Sequence, residues 1–279
     1  MKAIRETAVA GKTIYRSVKL PSGKHSGRRR PKMNLTAEAV QKNNDRLAAR
    51  NLTLLINANF GEEDGHFTLT YRGEEPSEEK AAADRRRFIS RMRRRMKKLG
   101  KDLKYIVVTE YLNKRIHHHI IMNTQDAALV TKMWKEGYVR MTVLDPSGNY
   151  KQLGEYLVKE TTKTFRDPDS VHKRRYTASR NLVRPVIKRE IVDATELSDD
   201  PKPIKGYYIP KDLVRRFEHP VTGVEHIEYY MIALDEPRRY KVWPRGKAIS
   251  WTEPFRAEIE EQGVFEFGFE ETGIAMSEM

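Results

Sequence analysis

Cysteine is absent from the 279-residue chain, and no uninterrupted apolar run approaches the length of a membrane span. The first absence excludes a disulfide framework and a thiolate metal site, so any metal must be held by His, Asp or Glu. Because of the second, no membrane-spanning helix is expected, since a span needs about 20 apolar residues. The N-terminal residues also lack the apolar stretch of a secretory signal. We therefore expect a soluble, cytoplasmic protein with no membrane partner.

Acidic residues are scarce in the first two thirds of the chain. The net charge is +14, but residues 1–190 hold 42 Lys+Arg and 21 Asp+Glu, whereas residues 191–279 hold 11 and 18. This split predicts a polyanion-binding part followed by a part with a different role. Nucleic acid is the first candidate partner, because neutralising phosphates releases counterions. A solvated basic surface and a contact with an acidic membrane are the alternatives.

The order of the predicted elements indicates the fold class. His66–Tyr71 alternates as a half-buried strand does, and a helix follows from the N-cap Ser77 to Gly100. The next elements are predicted as two strands, a helix, a strand and a helix, at Tyr105–Glu110, Ile116–Met122, Gln125–Glu136, Tyr138–Leu144 and about 150–163. This order predicts an α+β fold, a ferredoxin/RRM-like split βαβ arrangement in which helices cover one face of an antiparallel central sheet.

The remaining segments have weaker patterns. Residues 1–35 are predicted as a basic flexible arm whose densest run is Lys24–Lys32, and a helix is predicted over 36–50. Asn51–Phe60 alternates only partly. Residues 191–279 are predicted as a C-terminal extension of unknown role, with strands at Gly206–Pro210 and His226–Leu234 and an acidic tail from Ala257.

Three consecutive histidines lie in a predicted strand. His117 and His119 point to the same side of that strand, and His118 points to the other. If the preceding strand folds back so that Glu110 pairs with His117, then Glu110, His117 and His119 share one surface. Two imidazoles and one carboxylate suit a divalent metal ion with open positions for a phosphate oxygen. A set of hydrogen-bonded surface histidines without metal is the alternative.

The last helix of this series carries a second candidate group. Tyr156, Lys159 and Lys163 fall at i, i+3 and i+7 and so share a helix face. A tyrosine hydroxyl ordinarily has a pKa near 10, so it needs a neighbouring cation to act as a nucleophile at neutral pH. Tyr150 lies six residues before Tyr156 and on a different face, which favours a single nucleophilic tyrosine.

Taken together, these motifs resemble the HUH endonuclease superfamily, and within it the rolling-circle replication initiators of phages, plasmids and integrated elements. The resemblance rests on His66–Tyr71, His117–His119 and Tyr156–Lys159 in that order, and on the sequence Lys104–Asn123 around the histidines. It extends to Lys173–Tyr176 and the residues that follow. It covers about residues 51–190, and we assign 36–190 to an HUH endonuclease domain. His118 departs from the family pattern, which has an aliphatic residue there.

The resemblance implies a mechanism and a role for each residue. Glu110, His117 and His119 would hold Mg²⁺ or Mn²⁺, and Tyr156 would attack a phosphate of single-stranded DNA with help from Lys159. The product would be a 5′-phosphotyrosine, which can later be rejoined to a 3′-hydroxyl, and the outcome would be rolling-circle replication from an origin. The expected DNA-binding residues are Arg85, Arg86, Arg91, Arg94 and Arg95 on the basic helix, together with Lys163.

Several readings remain open from the sequence. A conjugative relaxase or a one-tyrosine transposase would use the same chemistry, although the tyrosine precedes the histidine motif in many relaxases. A metal-independent endoribonuclease with a histidine base is another, and a non-catalytic nucleic-acid-binding module is the fourth. No Gly-x-x-x-x-Gly-Lys-Ser/Thr loop is present, so unwinding is expected to require a separate host or element helicase.

Overall fold

The computed structural model describes residues 1–21, 37–111, 115–166, 174–219 and 223–234. The strands are β1 Lys2–Ala10, β2 Thr13–Lys19, β3 Gly65–Tyr71, β4 Tyr105–Glu110, β5 His117–Met122, β6 Gly137–Val143, β7 Thr177–Ala178, β8 Lys188–Asp193, β9 Tyr207–Tyr208, β10 Arg215–Glu218 and β11 Glu225–Ala233. The helices are α1 Ala37–Asn57, α2 Glu78–Lys98, α3 Ala127–Met133, α4 Lys151–Arg166 and α5 Thr195–Ser198.

The central sheet contains five strands in the order β6-β3-β5-β4-β7, and every neighbouring pair is antiparallel. The crossover from β3 through α2 to β4 therefore has β5 inserted between its two strands. This interleaved order is compatible with a split βαβ arrangement. The predicted α+β class, with an antiparallel sheet that carries the His-x-His strand, is confirmed.

Helices cover both faces of the central sheet, so the expectation of helices on one face is wrong. On one face, Phe67 and Ile120 pack with Phe88 of α2 and with Trp134, which follows α3. On the other face, the alternate sheet residues Ile106, Val108 and Ile121 pack with side chains of α1 and α4, including Leu52 and Leu157. Alternation within a strand shows which residues share a face, but it does not show which helix will cover that face.

Helix α1 continues to Asn57, beyond the predicted end at residue 50. Leu52, Leu55 and Ile56 lie at helical spacing and are all buried against the central sheet. The partial alternation in this segment therefore reflects one apolar helix face. The predicted N-cap at Ser77 is confirmed, since its side chain accepts from the backbone N–H of Lys80.

A second sheet joins the two ends of the described chain. Its order is β10-β11-β2-β1-β8, and β9 pairs with β11. Residues 2–19 are thus two paired strands, and the prediction that the whole of residues 1–35 is a flexible arm is wrong for them. Nor is residue 191 a boundary, because it lies inside β8, which pairs with β1.

The strands predicted at Gly206–Pro210 and His226–Leu234 correspond to β9 and β11 of this sheet, whereas charged residues explain why β1 escaped the pattern analysis. Arg5 and Glu6 are only 5% and 3% exposed, and their partners lie on other strands. Arg5 contacts Glu190 at 2.7 Å, and Lys19 contacts Glu6 at 2.7 Å. Buried charges are tolerated when they are paired, but a single strand does not show where the partners are.

Three predictions fall outside the described residues: the basic run Lys24–Lys32, the tail from Ala257, and the side chain of Lys163. Across the described ranges, none of the helices combines the length and the apolar character needed to cross a membrane.

Candidate metal centre and tyrosine

The predicted pairing of β4 with β5 is confirmed. Glu110 pairs with His117, Val108 with His119 and Ile106 with Ile121, so the carboxylate and both imidazoles share one face. His117 Nε2 lies 3.1 Å from Glu110 Oε2 and 3.1 Å from His119 Nε2. All three ligand atoms lie within 4.8 Å of one another, and the group could hold a metal ion.

The ring of His117 is oriented by a backbone contact. Its Nδ1 lies 2.8 Å from the carbonyl oxygen of Arg115. A carbonyl oxygen can only accept, so Nδ1–H donates, and Nε2 is the ring nitrogen that faces Glu110 and His119. Metal-binding histidines commonly have this hydrogen bond on the nitrogen that faces away from the ion.

His119 is oriented by two residues of β3, and sequence reasoning missed both. His119 Nδ1 lies 3.2 Å from His66 Nε2 and 3.4 Å from Thr68 Oγ1. Burial lowers the pKa of His66 to about 4, so its neutral ring can accept from His119 Nδ1–H. His119 Nε2 is then left as the ligand atom. His66 was visible only as part of an alternating strand, and its role depends on the pairing of Thr68 with His119.

His118 lies on the opposite face and is fully buried. Its Nδ1 contacts Thr109 Oγ1 at 2.8 Å, and its Nε2 contacts the hydroxyl of Tyr71 at 3.0 Å. Trp134 packs edge-on against the ring, with the ring centroids 5.6 Å apart. His118, which departs from the family pattern, is therefore a hydrogen-bonded core residue.

Tyr156 reaches the same cluster from α4. Its hydroxyl lies 3.5 Å from His119 Nε2, and the two rings meet at 85° with centroids 5.4 Å apart. The residue is 39% exposed, so the hydroxyl is next to the ligand atoms and open to solvent. Leu157 and Val158, buried at 1% and 3% exposure, anchor the helix in the core beside it.

Tyr150, the neighbouring tyrosine, is buried and hydrogen-bonded. It is 4% exposed, and its hydroxyl donates to the carbonyl oxygen of Asp145 at 2.9 Å. Burial raises its pKa far above the ordinary value. A single accessible tyrosine on α4, Tyr156, is therefore next to the histidines.

Lys159 is exposed on α4 one turn after Tyr156, where it lines a groove between α1, α4 and the second sheet. The predicted partner Lys163 belongs to the same helix, but its side chain is outside the described residues.

The basic helix α2 lies on the face of the central sheet opposite the cluster. Two of its predicted DNA-binding residues are partly buried and contact other side chains of the fold. Arg85 donates to Thr109 Oγ1 at 2.9 Å, and Arg91 lies 4.0 Å from Glu136 with a side chain that is 19% exposed. Arg86, Arg94 and Arg95 are exposed and remain predicted contacts. Helical spacing alone did not show that some residues of the cationic face contact other side chains of the fold.

The donor set is chemically suited to a hard or borderline divalent cation. It offers two imidazoles and one carboxylate, and such sets leave coordination positions open for substrate oxygens. Glu110 is 3% and His119 is 5% exposed, so a bound cation would offset the cost of burying the carboxylate. These residues therefore fit a metal on their chemistry as well as on their spacing.

An antiparallel sheet with this cluster on one strand pair, beside an accessible tyrosine on a neighbouring helix, has the layout expected of the resemblance. Residues 64–165 match the model of a family of replication-associated proteins whose description names the ORF2 type. The matched segment runs from the start of β3 to the end of α4 and contains all three motifs. The family match confirms the resemblance to replication initiators over this segment and supports a role in DNA replication. No curated protein and no solved structure matches the chain significantly.

Proposed function

We propose that the protein is a metal-dependent endonuclease and strand transferase that nicks single-stranded DNA at a replication origin through Tyr156. The observation that carries the proposal is the 3.5 Å approach of the Tyr156 hydroxyl to His119 Nε2, on the same sheet face as Glu110 and His117. In-line attack needs a nucleophile that is held beside the groups that orient the phosphate.

In the proposed reaction, the Tyr156 oxygen forms a bond to the scissile phosphorus, and the bond from phosphorus to the 3′-oxygen breaks. The phenolic proton leaves to solvent, and the departing 3′-oxygen takes up a proton to become a 3′-hydroxyl. The 5′ side stays attached as a phosphotyrosine. Lys159 stabilises negative charge on the phenolate and on the phosphoryl oxygens, because a nearby ammonium favours anionic states.

Glu110, His117 and His119 would hold Mg²⁺ or Mn²⁺, which would polarise the scissile phosphate and orient it. His66 and the Arg115 carbonyl keep the two imidazoles turned towards the ligand position. Tyr156 presents its hydroxyl from α4, whose packing on the sheet keeps the oxygen beside His119.

The covalent link conserves the energy of the phosphodiester bond. A 3′-hydroxyl can therefore displace Tyr156 later and reseal the strand without ATP, which is nucleotidyl transfer. This reversibility suits rolling-circle replication, in which one strand is opened at an origin and closed after copying. A separate helicase of the host or the element is the proposed partner for unwinding.

The test is covalent capture of DNA. Single-stranded oligonucleotides from the noncoding DNA beside the gene, labelled at the 3′ end, are incubated with Mn²⁺ or with EDTA and resolved on a denaturing protein gel. We expect a labelled band at protein mass that requires metal and is lost in Tyr156→Phe. Tyr208→Phe is the matched control, since Tyr208 is 41% exposed and lies on the second sheet.

DNA binding separates the alternatives. Tyr156→Phe should bind the oligonucleotides as the wild type does, because only the reacting oxygen is removed. Tight binding without any adduct would contradict the nicking proposal and favour a binding module. Cleavage of RNA that persists in EDTA would instead indicate the metal-independent endoribonuclease.

A further inference from the structure

A positively lined groove begins one turn from the proposed nucleophile. It lies between α1, α4 and the second sheet and encloses about 560 Å³, which is within the range of small-molecule sites. We call it the α1 trough. Its cationic lining consists of Lys42, Arg46, Arg50, Lys151, Lys159 and Arg215.

The carboxylates of the trough already have cationic partners. Glu228 contacts Arg46 at 2.7 Å, Glu155 contacts Lys151 at 3.1 Å, and Asp45 pairs with Arg175. Six cations therefore face three paired carboxylates, and the excess is positive. Like charges gathered in a groove repel one another and raise the local concentration of anions.

Of the remaining cations, Arg50 lies 3.5 Å from Glu6, and the other three are available to a ligand. Lys159 and Arg215 form no ion pair within the described part of the chain, and Lys42 pairs only with Glu38 at the exposed surface of α1. Arg215 is exposed, and its guanidinium lies 5.1 Å from the centre of the Phe217 ring. The buried Nε of Arg46 also has no hydrogen-bond partner among the described residues.

The cationic lining continues along α1 beyond the trough. A second cavity of about 230 Å³ shares Arg46 and Arg50 with it and adds Lys19 and Arg189. Glu6 lies in this cavity and contacts Lys19 at 2.7 Å and Arg189 at 3.1 Å. The two cavities form a cationic path whose near end is Lys159, beside Tyr156.

We propose that the α1 trough binds the phosphates of the same single DNA strand that is nicked at Tyr156, and so holds the DNA that continues from the scissile phosphate. This inference rests on the proposed function, and it assigns a DNA-binding role to α1 and β10, which lie outside the family match at residues 64–165. A strand leaving Tyr156 meets Lys159 first and then the cations of α1 and β10. Single-stranded DNA is flexible enough to follow such a path, and its phosphates neutralise the excess charge.

The test measures binding in a Tyr156→Phe background, so that cleavage does not enter. Lys42→Ala and Arg215→Ala are combined, because both side chains are exposed and their removal leaves the core intact. Lys202→Ala with Lys205→Ala is the control, which removes two exposed lysines outside the trough. Affinity is measured by fluorescence anisotropy over a range of salt, with a short oligonucleotide that covers only the nick site and with longer ones extended at either end.

Each phosphate contact with single-stranded DNA contributes about 0.7 to the slope of log affinity against log salt. Loss of two contacts should reduce the slope by about 1.4 and weaken binding of one extended oligonucleotide by roughly 10–30-fold near 0.1 M salt. The control should bind as the parent does. Thermal unfolding of both double variants checks that they are folded.

Equal affinity of parent and trough variant for every extended oligonucleotide would overturn the trough proposal, whether or not the wild type forms an adduct. Failure of the nicking proposal alone can also be distinguished from failure of the trough proposal. Weakened binding in the trough variant, with no adduct in the wild type, would support the trough as a DNA site and reject nicking at Tyr156.

Discussion

The crossing of α1 and α4 depends on a glycine two residues before the proposed nucleophile. A Cβ added at Gly154 would lie 2.3 Å from Thr53 Oγ1 and 3.1 Å from the Cα and N of the same residue. Favourable carbon contacts occur at about 3.5–4.0 Å. The two helices therefore approach closely only because residue 154 has no side chain, and this approach helps to position Tyr156.

Gly154→Ala should destabilise the fold and displace Tyr156. Overpacking a well-filled contact costs about 1–3 kcal/mol, which offsets and exceeds the gain of about 1 kcal/mol expected from replacing a helical glycine by alanine. Relief of the clash requires α4 to move by about 1 Å, and a misplacement of about 1 Å can cost about 100-fold in rate. We expect a melting temperature lower by a few degrees and adduct formation slower by about 10–100-fold.

The assay combines thermal unfolding with the initial rate of adduct formation. Gly61→Ala is the matched control, because a Cβ at Gly61 meets nothing within 4 Å, and both quantities should stay near the wild-type values. Thr53→Ala in the Gly154→Ala background removes the 2.3 Å contact but leaves the backbone contacts. It should restore part of the stability, with a coupling energy of about 0.5–3 kcal/mol.

Two results would refute this reasoning. If Gly154→Ala unfolds at the wild-type temperature and forms adduct at the wild-type rate, the close crossing does not position the tyrosine. If the two substitutions are simply additive, Thr53 Oγ1 is not the atom that opposes the added methyl group.

Two further predictions concern the histidines and the second sheet. His66→Ala should weaken Mn²⁺ binding by about 10–100-fold, because it removes the group that orients His119 without removing a ligand. Calorimetric titration measures the Mn²⁺ affinity, and His226→Ala is the control. A wild-type affinity in His66→Ala would contradict the prediction. Burial raises the pKa of Glu6, but the hydrogen bonds and charges of Lys19, Arg50 and Arg189 together outweigh it and hold the pKa below its ordinary value. Glu6 therefore stabilises the fold above about pH 4.3, and this contribution is lost as the pH falls through the lower folded pKa. In urea unfolding, Glu6→Gln should cost about 1.5–3 kcal/mol at pH 7 and progressively less in acid, so an equal cost at all pH values would argue against it.

Local periodicity was sufficient to predict that Glu110, His117 and His119 lie together. The two-residue period of a strand places His117 and His119 together, and a short hairpin leaves few registers for Glu110. Helical spacing likewise separated Tyr156 from Tyr150. These relations involve residues that are near in sequence, so their geometry is set by the backbone of one or two elements.

The family resemblance supplied what the local patterns did not. A tyrosine followed by a lysine is a common pattern, and so is a pair of histidines. Only the order of these motifs along the chain connected them into one proposed site. The structure then brought Tyr156 to His119, which lies 37 residues earlier. No pattern within α4 indicates which sheet face that helix covers, because its apolar side chains would be buried on either face.

Tertiary structure alone decided the rest. The contact of His66 with His119 depends on the pairing of β3 with β5, and the second sheet joins β1 to β8 across most of the described chain. The hydrogen bond of Arg85 depends on Thr109 of a neighbouring strand. From β3 to α4, sequence by itself determined the elements and the residues that share a face within each. Pairing between distant segments has no local period, because it is selected by the burial and charge compensation that the whole fold achieves.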